Sequence, residues 1–169
     1  MNKIILFLTL SFLYSPLTYA TDVEIIDGDT IRFNLISETP DEKVRGRLIK
    51  IDAPEMDQPY GVAAREHLQI LIEEYSATPV FVGCGFYGRV LIDFNVPDIL
   101  ERMVSDGYAW TLDETYAELE EIARKERVGL WIDLNTNFPP IHPRDWRKMR
   151  KAEKMKYMTD RIENQTFEK

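Results

Sequence analysis

Three short polar blocks of this chain combine carboxylates with arginines in a pattern that suits the hydrolysis of a phosphodiester. The blocks are Asp27-Gly28-Asp29-Thr30, the run from Arg47 to Glu55, and Tyr87-Gly88-Arg89. Such hydrolysis requires a hard cation held by oxygen ligands, a base for the attacking water, and cationic groups that hold the phosphate. Together the three blocks supply a candidate for each requirement, whereas no single block would be convincing alone.

Each block lies next to an apolar stretch that alternates in the manner of a β-strand. The spacing of branched residues, turns and prolines predicts five short strands, at 23–26, 30–35, 43–51, 80–82 and 90–94. The three polar blocks are therefore expected at strand ends, where turns and loops can bring side chains from distant parts of the sequence together.

Helical spacing of apolar residues predicts three helices between and after these strands. They cover 62–75, a segment from Pro97 to Gly107, and a segment that Asp113 caps and that runs through Arg127. Their inward faces are expected to be Leu68, Leu71 and Ile72; Ile99, Leu100, Met103 and Val104; and Leu119, Ile122 and Ala123. The pattern predicts an α+β domain, a five-stranded OB-fold-type Greek-key β-barrel with three α-helices.

The first 20 residues have the features of a targeting segment. Lys3 provides a positive start, an apolar run extends from Ile4 to Leu13, and Thr18-Tyr19-Ala20 offers a cleavage site. The run is too short to span a bilayer. We predict that residues 1–20 are a cleaved secretory signal peptide, the alternative being a retained N-terminal anchor. The mature protein is then periplasmic or secreted, with no stable membrane insertion.

Charge divides the rest of the chain into two parts, a domain at 21–141 and a basic C-terminal helix or tail at 142–169. The first part has a net charge of −13 and the second of +4, within a formal net charge of −8 for all 169 residues. An acidic domain has the wrong sign for binding nucleic acid, whose affinity comes largely from phosphate neutralisation. A bound cation, the site arginines and the basic tail could offset that charge locally.

In their order along the chain, these residues resemble the staphylococcal nuclease (thermonuclease-like) family. The resemblance extends over residues 23 to 131. It rests on Ile25 to Thr30, Arg47-Leu48, Ile51 to Glu55, Tyr60-Gly61 with Ala64, Tyr87-Gly88-Arg89, Val104 with Gly107 to Trp110, and Ala123-Arg124 with Gly129-Leu130-Trp131.

The resemblance implies a Ca²⁺ site. Asp29 and Asp52 match the carboxylates that bind the ion, and the carbonyl of Ala53 matches a backbone ligand. Ca²⁺ takes six to eight oxygen ligands, so two carboxylates leave room for water and a phosphate oxygen. Asp27 either shapes this site from outside the ligand set or only makes the turn.

The resemblance also implies the catalytic groups. Glu55 matches the residue that positions and deprotonates the attacking water, and Arg47 and Arg89 match the pair that holds the phosphate. Guanidinium suits this role because it stays charged and binds oxygens in a fork. Tyr87 matches a position that contacts the nucleotide. The implied protein is a Ca²⁺-dependent endonuclease that cleaves DNA and RNA and leaves 3′-phosphate ends. Separately, we expect the protein to be a monomer.

Two positions depart from the family pattern. Phe86 stands where the family prototype has a cationic residue, in a hairpin at 83–86 that is shorter than usual, and Leu100 stands where relatives often have Asn. Neither position belongs to the metal or phosphate-binding set. The acidic character of the domain is the best argument for an alternative, a catalytically weak or inactive OB-fold module that binds a protein or nucleic-acid partner. A third is a subunit of an envelope assembly that docks through the tail from Pro143.

Two other patterns carry little weight. The run from Gly83 to Gly88 matches the dinucleotide fingerprint Gly-x-Gly-x-x-Gly, but a predicted strand follows it, so no helix N-terminus is available for a pyrophosphate. His67 and His142 lie far apart in the sequence and have no cysteine partner near them, which gives zinc little support. Cys84 is the only cysteine and excludes an internal disulfide.

Overall fold

A computed structural model describes residues 21–34 and 43–167 of the protein. The predicted signal peptide at 1–20 and the end of the second predicted strand, Leu35, lie outside these described residues. No helix in the described part is long and apolar enough to cross a bilayer.

Five strands form the main sheet. They are β1 (Thr21–Asp27), β2 (Thr30–Asn34), β3 (Lys43–Leu48), β5 (Pro79–Cys84) and β6 (Val90–Phe94). Their order is β1-β2-β3-β6-β5, and all neighbours are antiparallel except β3 and β6, which run parallel. The parallel pair places Arg47 opposite Leu91 and so brings the second and third polar blocks side by side.

The third predicted strand, 43–51, is divided in the structure. After β3 the chain turns at Lys50, which has a positive φ of 64°, and continues as β4 (Ile51–Asp52). This short strand leaves the main sheet and pairs antiparallel with β7 (Trp110–Thr111). The turn is what separates Arg47 on one sheet from Asp52 on the other.

Three helices correspond to the predicted ones, and two more lie in the basic C-terminal segment. They are α1 (Gly61–Glu74), α2 (Asp98–Ser105), α3 (Ala117–Glu126), α4 (Pro143–Trp146) and α5 (Lys151–Phe167). Asp113 caps a short 3₁₀ turn, Glu114–Tyr116, that precedes α3, accepting a hydrogen bond from the Thr115 N–H at 2.8 Å. The predicted third helix is therefore two elements.

The core joins one face of the sheet to the apolar sides of α1 and α2. The whole predicted stripe of α2 is buried, whereas Ile122 of α3 is exposed, so its predicted inward position is wrong. The helix α3 packs through Ala123 into a second cluster with Trp110, Leu130 and Trp131. The α+β class and the five-stranded sheet are thus confirmed.

Hydrogen-bonded pairing among the described residues leaves β1 and β5 at the two edges of the sheet, which is not a closed barrel. The OB-type barrel of the sequence analysis therefore stays a prediction.

The turn between β1 and β2 packs tightly against the start of the helical layer. A Cβ built on Gly28 would lie 2.6 Å from the Cβ of Ala53 and 2.8 Å from the Cβ of Ala64. Both neighbours are buried, so neither has free space into which it can move. Glycine at this position lets Asp29 approach the chain segment that carries Ala53.

We expect Gly28→Ala to lower the free energy of unfolding by about 1–3 kcal/mol, because an added methyl group overpacks a tight contact. Gly83→Ala is the matched control, since a Cβ there meets nothing within 4 Å. Urea denaturation of both variants measures the difference. Equal stability of the two variants would contradict the packing of this turn.

Candidate active site

Asp29 is fixed in the turn between β1 and β2 and is only 2 % exposed. Its Oδ2 accepts a hydrogen bond from the Ala53 N–H at 2.6 Å, and its Oδ1 accepts one from the Thr30 hydroxyl at 3.0 Å. The Asp29 N–H donates to Asp27 Oδ1 at 3.1 Å. The first polar block is therefore attached to the second by a buried side-chain contact.

Arg47 joins the two predicted metal ligands. Its Nη1 forms an ion pair with Asp29 Oδ1, and its Nη2 donates to Asp52 Oδ1 at 2.5 Å. Asp52 is 2 % exposed, and the Arg47 side chain is 15 % exposed. Burial lowers the pKa of Arg47, and the Asp52 carboxylate opposes that shift. One guanidinium thus neutralises two carboxylates that could not remain buried and charged alone.

Glu55 follows Pro54 in the loop before α1. Its side chain is about one third exposed, unlike those of the two aspartates, and its N–H donates to Gln58 Oε1 at 3.2 Å. This exposure leaves a carboxylate within reach of solvent water, a requirement for a general base.

A further arginine, which the sequence analysis did not single out, also contacts this group. Arg147 follows α4 and donates from Nη1 to Glu55 Oε1 at 2.6 Å and from Nη2 to Asp52 Oδ2 at 3.0 Å. The second contact joins positions 95 residues apart. Local periodicity carries no signal for such a contact; only the packing of the C-terminal segment reveals it.

Arg89 does not contact the carboxylates but lies in an open groove beside them. The groove has a volume of about 370 Å³ and is lined by Arg45, Arg47 and Arg89 together with Thr30, Val44, Gly46, Gly88 and Val90. Arg89 is exposed, so its guanidinium can bind an anion from solvent. Tyr87 belongs to the 3₁₀ turn Phe86–Gly88 beside the groove, and its side chain lies outside the described part of the structure.

Asp27 lies at the edge of the carboxylate cluster. Burial raises its pKa, while the hydrogen bond from Thr30 and the charge of Arg47 lower it in part. Its Oδ1 holds the backbone of Asp29. Asp27 is therefore part of the turn, and its side chain also fixes the backbone of Asp29.

The donor chemistry fits a hard cation. Asp29 and Asp52 supply carboxylate oxygens on either side of one guanidinium, and the Ala53 carbonyl follows directly in the chain. No group of three or more His, Cys, Asp or Glu in the described residues could hold a metal, so the candidate set relies on two carboxylates and a backbone oxygen. Such a set suits Ca²⁺, which accepts backbone carbonyls and water, and does not suit zinc.

Neither histidine contributes to that set. His67 Nε2 lies 2.9 Å from Asp106 Oδ2, and its ring stacks on Tyr108 with the centroids 4.2 Å apart. His142 Nδ1 lies 3.8 Å from Asp52 Oδ2 but accepts the Arg144 N–H at 3.1 Å. A nitrogen that accepts a hydrogen bond cannot also donate to the carboxylate.

Comparison of the sequence with known proteins shows what this chain is similar to. The sequence model described as "Staphylococcal nuclease homologue" matches residues 45–133. An "Uncharacterized endonuclease" of Escherichia coli is 33 % identical over 135 residues, which cover 74 % of this chain and 82 % of that protein. A "Micrococcal nuclease" of Shigella flexneri is 33 % identical over 147 residues, covering 76 % of this chain and 80 % of that protein.

We expect Arg47→Ala to lower the free energy of unfolding by about 3–5 kcal/mol, because it leaves two buried carboxylates without their shared partner. Arg89→Ala removes the same functional group from an exposed position, so its effect should stay within about 0.5 kcal/mol. Denaturant titrations of both variants at neutral pH measure the contrast. Equal losses would show that Arg47 does not carry the buried charge.

Proposed function

This chain belongs to the staphylococcal nuclease family, and we propose that it is a Ca²⁺-dependent endonuclease that hydrolyses phosphodiester bonds in DNA and RNA and leaves 3′-phosphate ends. The observation that carries the proposal is the pair Asp29 and Asp52 on one buried guanidinium, with Glu55 and the Arg89 groove beside it. The family is metal-dependent. We also propose an OB-type barrel as the fold of the domain, which is consistent with its family.

Asp29, Asp52 and the Ala53 carbonyl would hold the cation. A bound divalent cation polarises a phosphoryl oxygen and offsets negative charge that develops on the phosphate. Both aspartates are already ordered by hydrogen bonds from Ala53, Thr30 and Arg47, so little side-chain entropy is lost when they become ligands. This preorganisation supports the assignment of the two residues as ligands.

Glu55 accepts the proton of the attacking water in the proposed reaction. Its carboxylate is partly exposed. Glu55 lies three residues beyond Asp52, on the loop that follows β4. Arg89 and Arg47 bind the phosphate from the groove, where two guanidinium groups can stabilise charge that grows in the transition state. Guanidinium charge does not depend on pH in the range in which a carboxylate base works.

The groove is also a local positive region on an otherwise acidic domain. Three arginines line it, whereas the domain as a whole has a net charge of −13. A local positive potential beside the site supports binding of a phosphodiester, although the distant surface repels nucleic acid. We further propose that the mature protein acts as a monomer in the periplasm or the medium; N-terminal sequencing of the protein recovered from these fractions tests its secretion.

The first test of the proposed function is substitution of Arg89. We expect Arg89→Ala to lower kcat on DNA by about 10²–10³-fold, because loss of one preorganised charge from a transition state has effects of this size. Arg89→Lys should recover little, since an ammonium cannot make a bidentate contact. Lys125→Ala is the control, because it removes one positive charge from an exposed site on α3.

Digestion of DNA and RNA with Ca²⁺ or with a chelator provides the measurement. Near-normal turnover of Arg89→Lys would contradict the phosphate-binding role. Binding of nucleic acid without cleavage by the wild-type protein would instead favour the alternative function, a binding module.

The second test separates the base from the ligands. Glu55→Gln should lower kcat by about 10²–10⁴-fold, the usual contribution of a general base, because an amide cannot accept the proton. Its Ca²⁺ affinity, measured by calorimetry, should remain close to that of the wild type, whereas Asp29→Asn should lose most of the affinity. Glu66→Gln on the exposed side of α1 is the control. Loss of Ca²⁺ binding in Glu55→Gln would make Glu55 a ligand.

A further inference from the structure

Arg147 lies outside residues 45–133, the part of the chain that matches the family, and yet its guanidinium reaches the candidate base and a candidate metal ligand. We propose that Arg147 is a positioning residue that orients Glu55 for proton transfer and lowers the affinity of Asp52 for the cation. The inference rests on the proposed function and adds to it a residue from the C-terminal segment.

The backbone of Arg147 is held by a buried neighbour. Trp146 is fully buried, and its indole Nε1 donates to Asp57 Oδ1 at 2.8 Å. Lys154 of α5 donates to the other oxygen of Asp57 at 2.9 Å and lies 5.1 Å from the centre of the Trp146 ring. Asp57 is two residues beyond Glu55 in the same loop. The anchor therefore ties Arg147 to the segment whose carboxylate it contacts.

The guanidinium of Arg147 contacts two carboxylates that have different proposed roles, Glu55 as base and Asp52 as metal ligand. One nitrogen contacts Glu55 at 2.6 Å and the other contacts Asp52 at 3.0 Å, so a rigid planar group spans the candidate base and the candidate ligand. A single exposed ion pair would contribute little to such ordering. Here two carboxylates and a buried anchor restrict the guanidinium, although its side chain is 45 % exposed.

The guanidinium of Arg147 is permanently charged, and it contacts Glu55 and Asp52 directly. A positive group fixed at this place keeps the Glu55 oxygen pointed in one direction, in the manner of the hydrogen-bonded groups that orient residues around metal sites.

Arg147 also competes for Asp52. A carboxylate has about four lone-pair positions, two on each oxygen. Arg47 uses one of those on Oδ1 at 2.5 Å, and Arg147 contacts Oδ2 at 3.0 Å and Oδ1 at 3.3 Å. These contacts leave one position, on Oδ2, and a cation that takes it lies beside Arg147 and meets the repulsion of that positive charge.

The two effects of removing Arg147 have opposite signs, which makes the inference testable. In Arg147→Ala we expect kcat at saturating Ca²⁺ to fall by about 10- to 100-fold, because Glu55 loses its orienting partner. We expect Ca²⁺ to bind about tenfold more tightly, because a nearby positive charge is gone. Calorimetry without nucleic acid measures the affinity independently of turnover. Arg147→Lys should keep most of the weakening of Ca²⁺ binding but recover little kcat.

Lys148→Ala is the matched control, since Lys148 is the next residue and, among the described residues, its ammonium group pairs with Asp145 at the surface, 2.7 Å away. Its kcat and Ca²⁺ affinity should equal those of the wild type. Unchanged kcat and affinity in Arg147→Ala would overturn the inference. Tighter Ca²⁺ binding with unchanged kcat would show that Arg147 only competes with the cation for Asp52, and it would overturn the inference as well. Weaker Ca²⁺ binding together with a lower melting temperature would show a purely structural role and would also overturn the inference.

Failure of the proposed function has a different signature. If neither the wild type nor Lys148→Ala cleaves nucleic acid, the nuclease assignment fails, and the role of Arg147 in catalysis fails with it. If both cleave normally and only the Arg147 variants deviate from the expected pattern, the nuclease assignment stands and the inference alone is overturned.

Discussion

The structure depends on one buried ion-pair group, in which Arg47 joins Asp29 and Asp52. Asp29 lies in the turn between β1 and β2 of the main sheet and Asp52 lies in β4 of the second sheet, so this contact links the two sheets. Buried carboxylates are costly unless a partner offsets their charge, and a guanidinium can serve both through its two nitrogens. The same group that permits these acids to be buried also places two oxygen ligands together.

Close packing explains why the group forms where it does. Gly28 lets the first turn approach Ala53, and the positive φ of Lys50 directs the chain away from the main sheet. The backbone N–H of Ala53 then reaches Asp29 at 2.6 Å. Small displacements of either segment would leave a buried acid without its hydrogen bonds, so packing and charge support each other.

The C-terminal segment is a second support for the same site. Trp146 is buried, Lys154 pairs with Asp57 at 2.9 Å, and Arg161 pairs with Asp133. Basic residues of this segment thus pair with acids of the domain, as their opposite net charges favour. Contacts from residues beyond 133, where the match to the family ends, therefore fix the loop between Glu55 and Tyr60. These contacts couple the candidate base to the C-terminal segment.

The sequence alone determined the polar blocks, the main strands and helices, and the resemblance that gathered Asp29, Asp52, Glu55 and Arg89 into one hypothesis. These features are local, because strand and helix periods, turn residues and short motifs each depend on residues only a few positions apart in the sequence. Only the tertiary structure decided that the 43–51 segment divides between two sheets and that Arg147 meets Asp52 across 95 residues. Such contacts depend on how buried faces and charges fit after the chain has packed, and no local period encodes that fit.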